Sequence, residues 1–290
     1  MPATEVEPLI ERALRLLDRL EQYLPAQKSD VDLSAAIAFR WQPRDGRSAL
    51  QPVNALHSIR LNDLHDIDVQ KQRVVQNTLQ FVRALPANNV LLTGARGTGK
   101  SSLIKALLNE YAGEGLRLIE IGKAGLADLP EIVGLVAARP ERYLLYCDDL
   151  SFNDEELGYQ ALKAALDGSV VALPENMLIY ATSNRRHLMP EYLQENLATR
   201  HDGEEVHPAE GVEEKISLSE RFGLWVSFYP FSQDEYLTIA AHWVERFGGG
   251  KFDETVRRAA LQWALSRGSR SGRVAWQFAR DWVGQQASHA

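Results

Sequence analysis

The stretch NVLLTGARGTGKSSLIKALLNEYA, residues 89–112, constrains the fold of this 290-residue chain more than any other. An apolar run, a glycine-rich loop and an amphipathic helix follow one another without a spacer. Gly94 to Ser101 fits G-x-x-x-x-G-K-[ST] in full, in the strand-then-helix context that gives the pattern its meaning. Glycines let such a loop curl until successive backbone N–H groups point inward at phosphate oxygens. The start of the following helix adds about half a positive charge and free donors. Lys100 would reach the β- and γ-phosphates of a nucleotide, and the Ser101 hydroxyl would ligate magnesium. Expected nucleotide contacts therefore run over Gly94, Ala95, Arg96, Gly97, Thr98, Gly99, Lys100, Ser101 and Ser102.

A phosphate loop of this kind needs a sheet behind it. The runs LRLIEIG, RYLLYCDD and NMLIYATSN follow in order, each apolar with few charges, and helical patterns separate them. Strands apolar on both faces that alternate with helices imply a parallel sheet sandwiched by helices, with right-handed crossovers. The expected fold is a three-layer α/β P-loop NTPase with a parallel five-stranded sheet. A helix from Asp68 to about Leu85 precedes the loop and ends at PANN. The tail reads as helices over 233–247, 253–266 and 272–285, a small all-α lid. Residues 8–24 show helical spacing of Leu9, Ile10, Ala13, Leu14, Leu16, Leu17, Leu20 and Leu24, either packed on their own domain or offered to a partner. RWQPRDG, with Pro43 and Gly46, reads as a loop. The expected domains are an N-terminal helical or irregular region over 1–60, a nucleotide-binding domain over 61–229 and the lid over 230–290.

RYLLYCDD ends in two carboxylates. Asp148 would hold magnesium through water, opposite Ser101. Asp149 would orient or deprotonate the attacking water, or would merely cap the helix expected from about Asp154. Cys147 reads as a small apolar strand residue. As the one cysteine, it excludes an internal disulfide, and the scattered histidines show no zinc spacing. A net charge of −7 argues against a coat of basic surface for nucleic acid. No run approaches the roughly 18 apolar residues of a membrane helix. The N-terminus lacks a basic-then-apolar export pattern, so the cytoplasm is the expected compartment.

These phrases resemble an AAA+ ATPase, and specifically the bacterial group named domain of unknown function 815. PANNVLLTGARGTGKSSLIKALLNEY, DDLSF, LIYATSNRRHLMPEY and EEKISLSERFGLW carry the likeness, over roughly residues 38–285. It implies ATP and Mg2+ as ligands and ATP hydrolysis as the activity. DLHDIDVQK resembles the box ahead of the loop, so the backbone around Ile67 would contact adenine, although His65 stands where glycine is common. ATSN resembles sensor 1, so Asn184 would hydrogen-bond the γ-phosphate or the attacking water, or else cap a turn. SLSERFG resembles the arginine-finger segment. Arg221 would then reach a neighbouring subunit's site in trans, making the chain a homo-oligomer, or would pair with nearby acids such as Glu220. SRSGRVAWQF resembles sensor 2. By register against Val274, Trp276 and Phe278, Arg273 would face the nucleotide, with Arg270 in reserve.

The stretch KAGLADLP lacks the aromatic residue of polypeptide-threading relatives. This turns the expectation toward remodelling or loading of a protein or nucleoprotein client. DNA is possible through small basic points at Lys123, Arg185 and Arg186, but the net charge does not indicate it. The polar insert over 185–216 is the place to look for a regulator or client. A slow ATP-dependent switch that presents a partner surface is the alternative, and a metabolic P-loop enzyme such as a kinase is a third class.

Overall fold

The computed structural model describes residues 32–44, 47–151, 157–167, 173–184, 201–202, 205–206 and 219–288. The expected helix over 8–24 lies outside them. So does the insert, apart from a short antiparallel pairing of β7 (His201–Asp202) with β8 (Glu205–Val206). Two compact units divide the chain at Ala35/Ala36. Of the first, residues 32–35 form a turn in which Ala35 N donates to Asp32 O. All that follows concerns the second.

Its main sheet has seven strands in the order β2-β1-β4-β5-β6-β3-β9. These are β1 (Ala38–Arg44), β2 (Arg47–Pro52), β3 (Val90–Gly94), β4 (Leu116–Ile121), β5 (Arg142–Cys147), β6 (Met177–Ser183) and β9 (Leu224–Phe228). Every neighbouring pair is parallel except β1 with β2. The five expected parallel strands are therefore joined by a sixth, β1, and an antiparallel edge, β2. β1 takes in most of the RWQPRDG stretch that reads as a loop, and β2 begins directly after it. Pro43 is tolerated because β1 pairs with β4 only over Ala38–Trp41, so the missing N–H falls beyond that ladder. Phe39 and Trp41 are buried, and Arg40 pairs with Glu120 on β4 at 2.8 Å.

The helices between strands are α1 (Asp68–Val82), α2 (Lys100–Tyr111), α3 (Leu129–Val136) and α4 (Leu157–Leu166). From β3 to β4 the chain crosses the sheet one way, and from β4 through β5 to β6 it returns. Right-handed crossovers then put α2 on one face and α3 with α4 on the other. α1 packs beside α2, and α4 packs against the 3₁₀ turn Lys123–Asp128 that leads into α3. These are the three layers expected. β3, β5 and β6 are buried along nearly their whole length, as the apolar runs require.

The PANN turn pins the start of β3, which lies between β6 and the edge strand β9. Asn77, buried on α1, donates to the carbonyl of Asn88 and to Tyr180 Oη, while Asn89 Oδ1 accepts from Ile179 N on β6. Leu224 N donates to Asn89 O, so one turn sets the start of β3 against both neighbours. Buried polar groups with partners cost little, whereas an orphaned one would cost about 1–3 kcal/mol.

The lid comprises α5 (Gln233–Arg246), α6 (Glu254–Arg267) and α7 (Gly272–Ser288). Ser232 and Glu235 form a reciprocal capping box at the start of α5, and Asp253 caps α6 through Thr255 N and Val256 N. Gly268, at φ +62, ends α6 in the left-handed conformation that glycine takes without penalty. One continuous apolar core joins Phe228 and Phe231 to Tyr236, Ala240, Val256, Ala275 and Phe278. Among the described residues no helix is long and apolar enough to cross a membrane.

Candidate nucleotide-binding site

The phosphate loop lies between the end of β3 and the start of α2, beside the ends of β5 and β6. Gly94, at φ +127, passes directly over the backbone of β9: a Cβ there would sit 1.9 Å from Phe228 O. No other residue fits at that position. Thr98 Oγ1 donates to Ala95 O at 2.8 Å and braces the loop from inside. Gly99 enters α2 at φ +98, with the Ile67 side chain close to its α-carbon.

Lys100 is folded back over this loop. Its ammonium donates to Gly94 O and Ala95 O, both at 2.8 Å, and to Asn184 Oδ1 at 3.2 Å. Burial holds the Lys100 pKa below its usual value, and Asp148 and Asp149 oppose that shift. The same electrostatics favour an incoming phosphate, which would return the charge partner that burial removes.

The paired aspartates diverge. Asp148 accepts from Ser101 Oγ at 2.8 Å and from Thr182 Oγ1 at 2.6 Å. Burial pushes its carboxyl up, but interactions with Thr182, Tyr146 and Ser101 outweigh this and hold it below the usual carboxylate range. A hydroxyl beside an ionised carboxylate is a hard oxygen set, which fits Mg2+. Asp149 turns the other way, at φ +51, with its N–H donating to Thr182 Oγ1 at 3.0 Å. Its side chain is half-exposed. Oδ1 accepts from Asn184 Nδ2 at 2.5 Å, and Oδ2 lies 3.7 Å from Arg96. A non-glycine residue held at positive φ costs on the order of 1 kcal/mol and is a mark of functional sites.

These side chains line one end of a cleft of about 820 Å³. Arg96, Gly97, Thr98, Gly99, Lys100, Ser101, Ser102, Asp148, Asp149, Asn184, Ile67 and Arg273 all border it, whereas Gly94 and Ala95 are not among its lining residues and are tied to it only by their carbonyls, which accept from Lys100. Arg270 borders a separate hollow behind the loop. Arg221 is not among the cleft-lining residues. Its guanidinium pairs with Asp167, just past α4.

The other end of the cleft was not legible in the sequence. His57, Ser58 and Ile59 border it, with their backbone tied to α2 because Asn109 Nδ2 donates to His57 O and Ile59 O at 2.7 Å. Opposite stand Trp243, Phe247, Trp276 and Arg280 of the lid. Trp276, which the register argument counts with the core positions Val274 and Phe278, instead shares the cleft-facing side of α7 with Arg273 and Arg280. The available signal was the i, i+3, i+7 spacing from Arg273, which puts all three on one helix face.

A polar hinge and an aromatic chain connect the two sides. Asp63, almost wholly buried, accepts from Arg60 N at 2.8 Å and lies 3.2 Å from both His242 Nε2 and Arg246 on α5. His65 lies against His242 at 4.3 Å between ring centroids. The positive φ in this segment falls on Asp66 (φ 60), so His65 is accommodated without the left-handed backbone. The KAGLADLP stretch is anchored too: Trp41 Nε1 donates to Asp128 Oδ2 at 2.8 Å, and Gly125 packs against the Trp41 ring.

Strand order and loop placement make this an AAA+ P-loop fold. Chains of Thermotoga maritima RuvB, a Holliday junction branch migration motor, align with 77% of this chain and 63% of their own length, at 13% identity and a TM-score of 0.47. Two single-site variants of that protein align at 12% identity with TM-scores of 0.49. The chain thus spans less than two thirds of the RuvB chains it matches, and this likeness says nothing of what it acts on. No curated protein matches the sequence. The family described as "Protein of unknown function (DUF815)" matches residues 34–286, nearly the whole of the fold described above, and the chain belongs to that family.

Proposed function

We propose that the chain is an AAA+ ATPase that binds ATP with Mg2+, hydrolyses it at a site shared between copies, and couples the lid to a protein or nucleoprotein client in the cytoplasm. The observation that carries this reading is the contiguous set Lys100–Asn184–Asp149 beside Ser101–Asp148, at the mouth of a phosphate loop. The loop amides and the start of α2 bind the phosphates. Lys100 exchanges its resting carbonyl partners for phosphate oxygens. Ser101 and Asp148 would hold the magnesium, which would supply positive charge to the phosphate oxygens. Asn184 orients the attacking water, and Asp149 accepts its proton. From the lid, Arg273 faces the phosphates, while Trp276 provides a ring on which the base stacks. A copy of Arg221 from a neighbouring subunit supplies further positive charge at the γ-phosphate, for which its planar guanidinium is suited.

The test is ATPase rate against protein concentration, with and without DNA. Specific activity should climb on assembly, and Arg221→Ala should remove most of the climb, by about 10³-fold if it acts as a finger. A rate proportional to protein concentration throughout would sink the shared site.

A second reading, a slow ATP-dependent switch, is favoured by Asp149 itself. Aspartate is one methylene shorter than the glutamate common at this position, and both of its oxygens are engaged by Asn184 and Arg96. Turnover near background under every condition would support the switch. The anchored Lys123–Asp128 turn supports a client that is not threaded.

A further inference from the structure

The phosphate loop carries an arginine that neither the motif nor the fold requires. Arg96 borders two cavities at once. It lines the nucleotide cleft and also the hollow of about 670 Å³ behind the loop, with Pro230, Leu261, Leu265 and Arg270. The residue after it is held: Gly272 N of the lid donates to Gly97 O at 2.8 Å, and the α-carbon of Gly97 packs against Ser271. The Arg96 side chain is 78% exposed, with Asp149 as its ion-pair partner across 3.7 Å. The base of Arg96 is therefore fixed while its guanidinium can swing.

Lys100, Asn184, Asp149 and Arg96 form a row in which each touches the next. Cations stand at both ends, with an amide and a carboxylate between. A terminal phosphate entering beside Lys100 meets this row. An exposed ion pair at 3.7 Å is weak, whereas a γ-phosphate offers a guanidinium several oxygens in the bidentate geometry it matches. The phosphate wins that competition, and Asp149 is released.

We propose that Arg96 is a specificity-determining residue that reads the γ-phosphate in cis, with Asp149 as its resting partner. ATP draws Arg96 off Asp149 and frees that carboxylate for water; ADP has no group to draw it and leaves the pair closed. The inference rests on the ATPase reading above.

The experiment is calorimetric binding of ADP and of a non-hydrolysable ATP analogue, both with Mg2+, to wild type and to Arg96→Ala, Arg96→Lys and Asp149→Ala. Arg96→Ala should keep ADP affinity and lose about tenfold for the triphosphate, with Arg96→Lys recovering part of it. Asp149→Ala should tighten triphosphate binding severalfold, a gain that vanishes when Arg96→Ala is added. ADP binding doubles as the check that each variant folds. Equal loss for both nucleotides, or an unchanged ratio, overturns the proposal. Wild type that binds neither nucleotide overturns the ATPase reading instead.

Discussion

The core wall of the cleft is a run of short polar contacts, from Lys100 through Asn184 to Asp149 and from Ser101 through Asp148 to Thr182. The lid wall is aromatic and cationic: Arg280 lies 4.7 Å over the Trp276 ring, Arg246 5.9 Å over Trp243, and Trp243 stacks on Phe247. The difference follows from what each wall stands on. Core residues either lie at or just after the ends of β5 and β6, whose register is locked on both sides, or open α2 behind the phosphate loop, so their atoms are placed for chemistry. Lid residues project from the sides of packed helices and present rings and guanidinium groups, so they suit gripping. Chemistry and grip should therefore be separable by mutation.

Asp149→Asn should separate them most sharply. It removes the proton acceptor while asparagine still occupies left-handed backbone, so turnover should fall by about 10²–10⁴-fold with no loss of ATP affinity, and a gain where Arg96 is freed. Quenched-flow turnover and equilibrium binding on the same protein check both halves. Normal turnover would mean that Asp149 is structural.

Trp276→Ala should do the opposite. Loss of a base-stacking ring should weaken nucleotide binding about tenfold, leaving the rate at saturation near wild type. A fall in saturated rate with unchanged affinity would erase the distinction between the walls.

The smallest effect belongs to the hinge between them. Burial, then His242 and Lys71, hold the His65 pKa below its ordinary 6.5. The folded state thus disfavours the protonated ring. This contribution to stability is complete above about pH 6.5 and declines as pH falls below it. Denaturant midpoints measured from pH 7.5 to 5.5 should drop, and His65→Phe, which keeps a ring against His242, should flatten the decline.

Legibility followed locality. The phosphate loop is contiguous, and Asp148, Asp149 and Asn184 each end an apolar run, so chain order alone brought them together. β1 was hidden because Arg40, Pro43 and Arg44 break its apolar pattern. It exists through distant partners, Glu120 and Asp128, that no local window contains. The lid wall was hidden for the converse reason. Trp243, Phe247 and Trp276 look like core residues at helical spacing, and only the packing of α5 and α7 turns them toward the cleft.

The aromatic chain has an experimental consequence. His65, His242, Trp243, Phe247 and Trp276 follow one another at centroid spacings of 4.3, 5.2, 5.7 and 6.5 Å, from the core side to the far lid helix. Both tryptophans of that chain border the cleft. Indole emission depends on contact with histidine, arginine and solvent, so any change in lid tilt would alter the light these rings give off. A nucleotide-dependent change in tryptophan emission that disappears with Trp276→Phe would therefore report lid movement without a label.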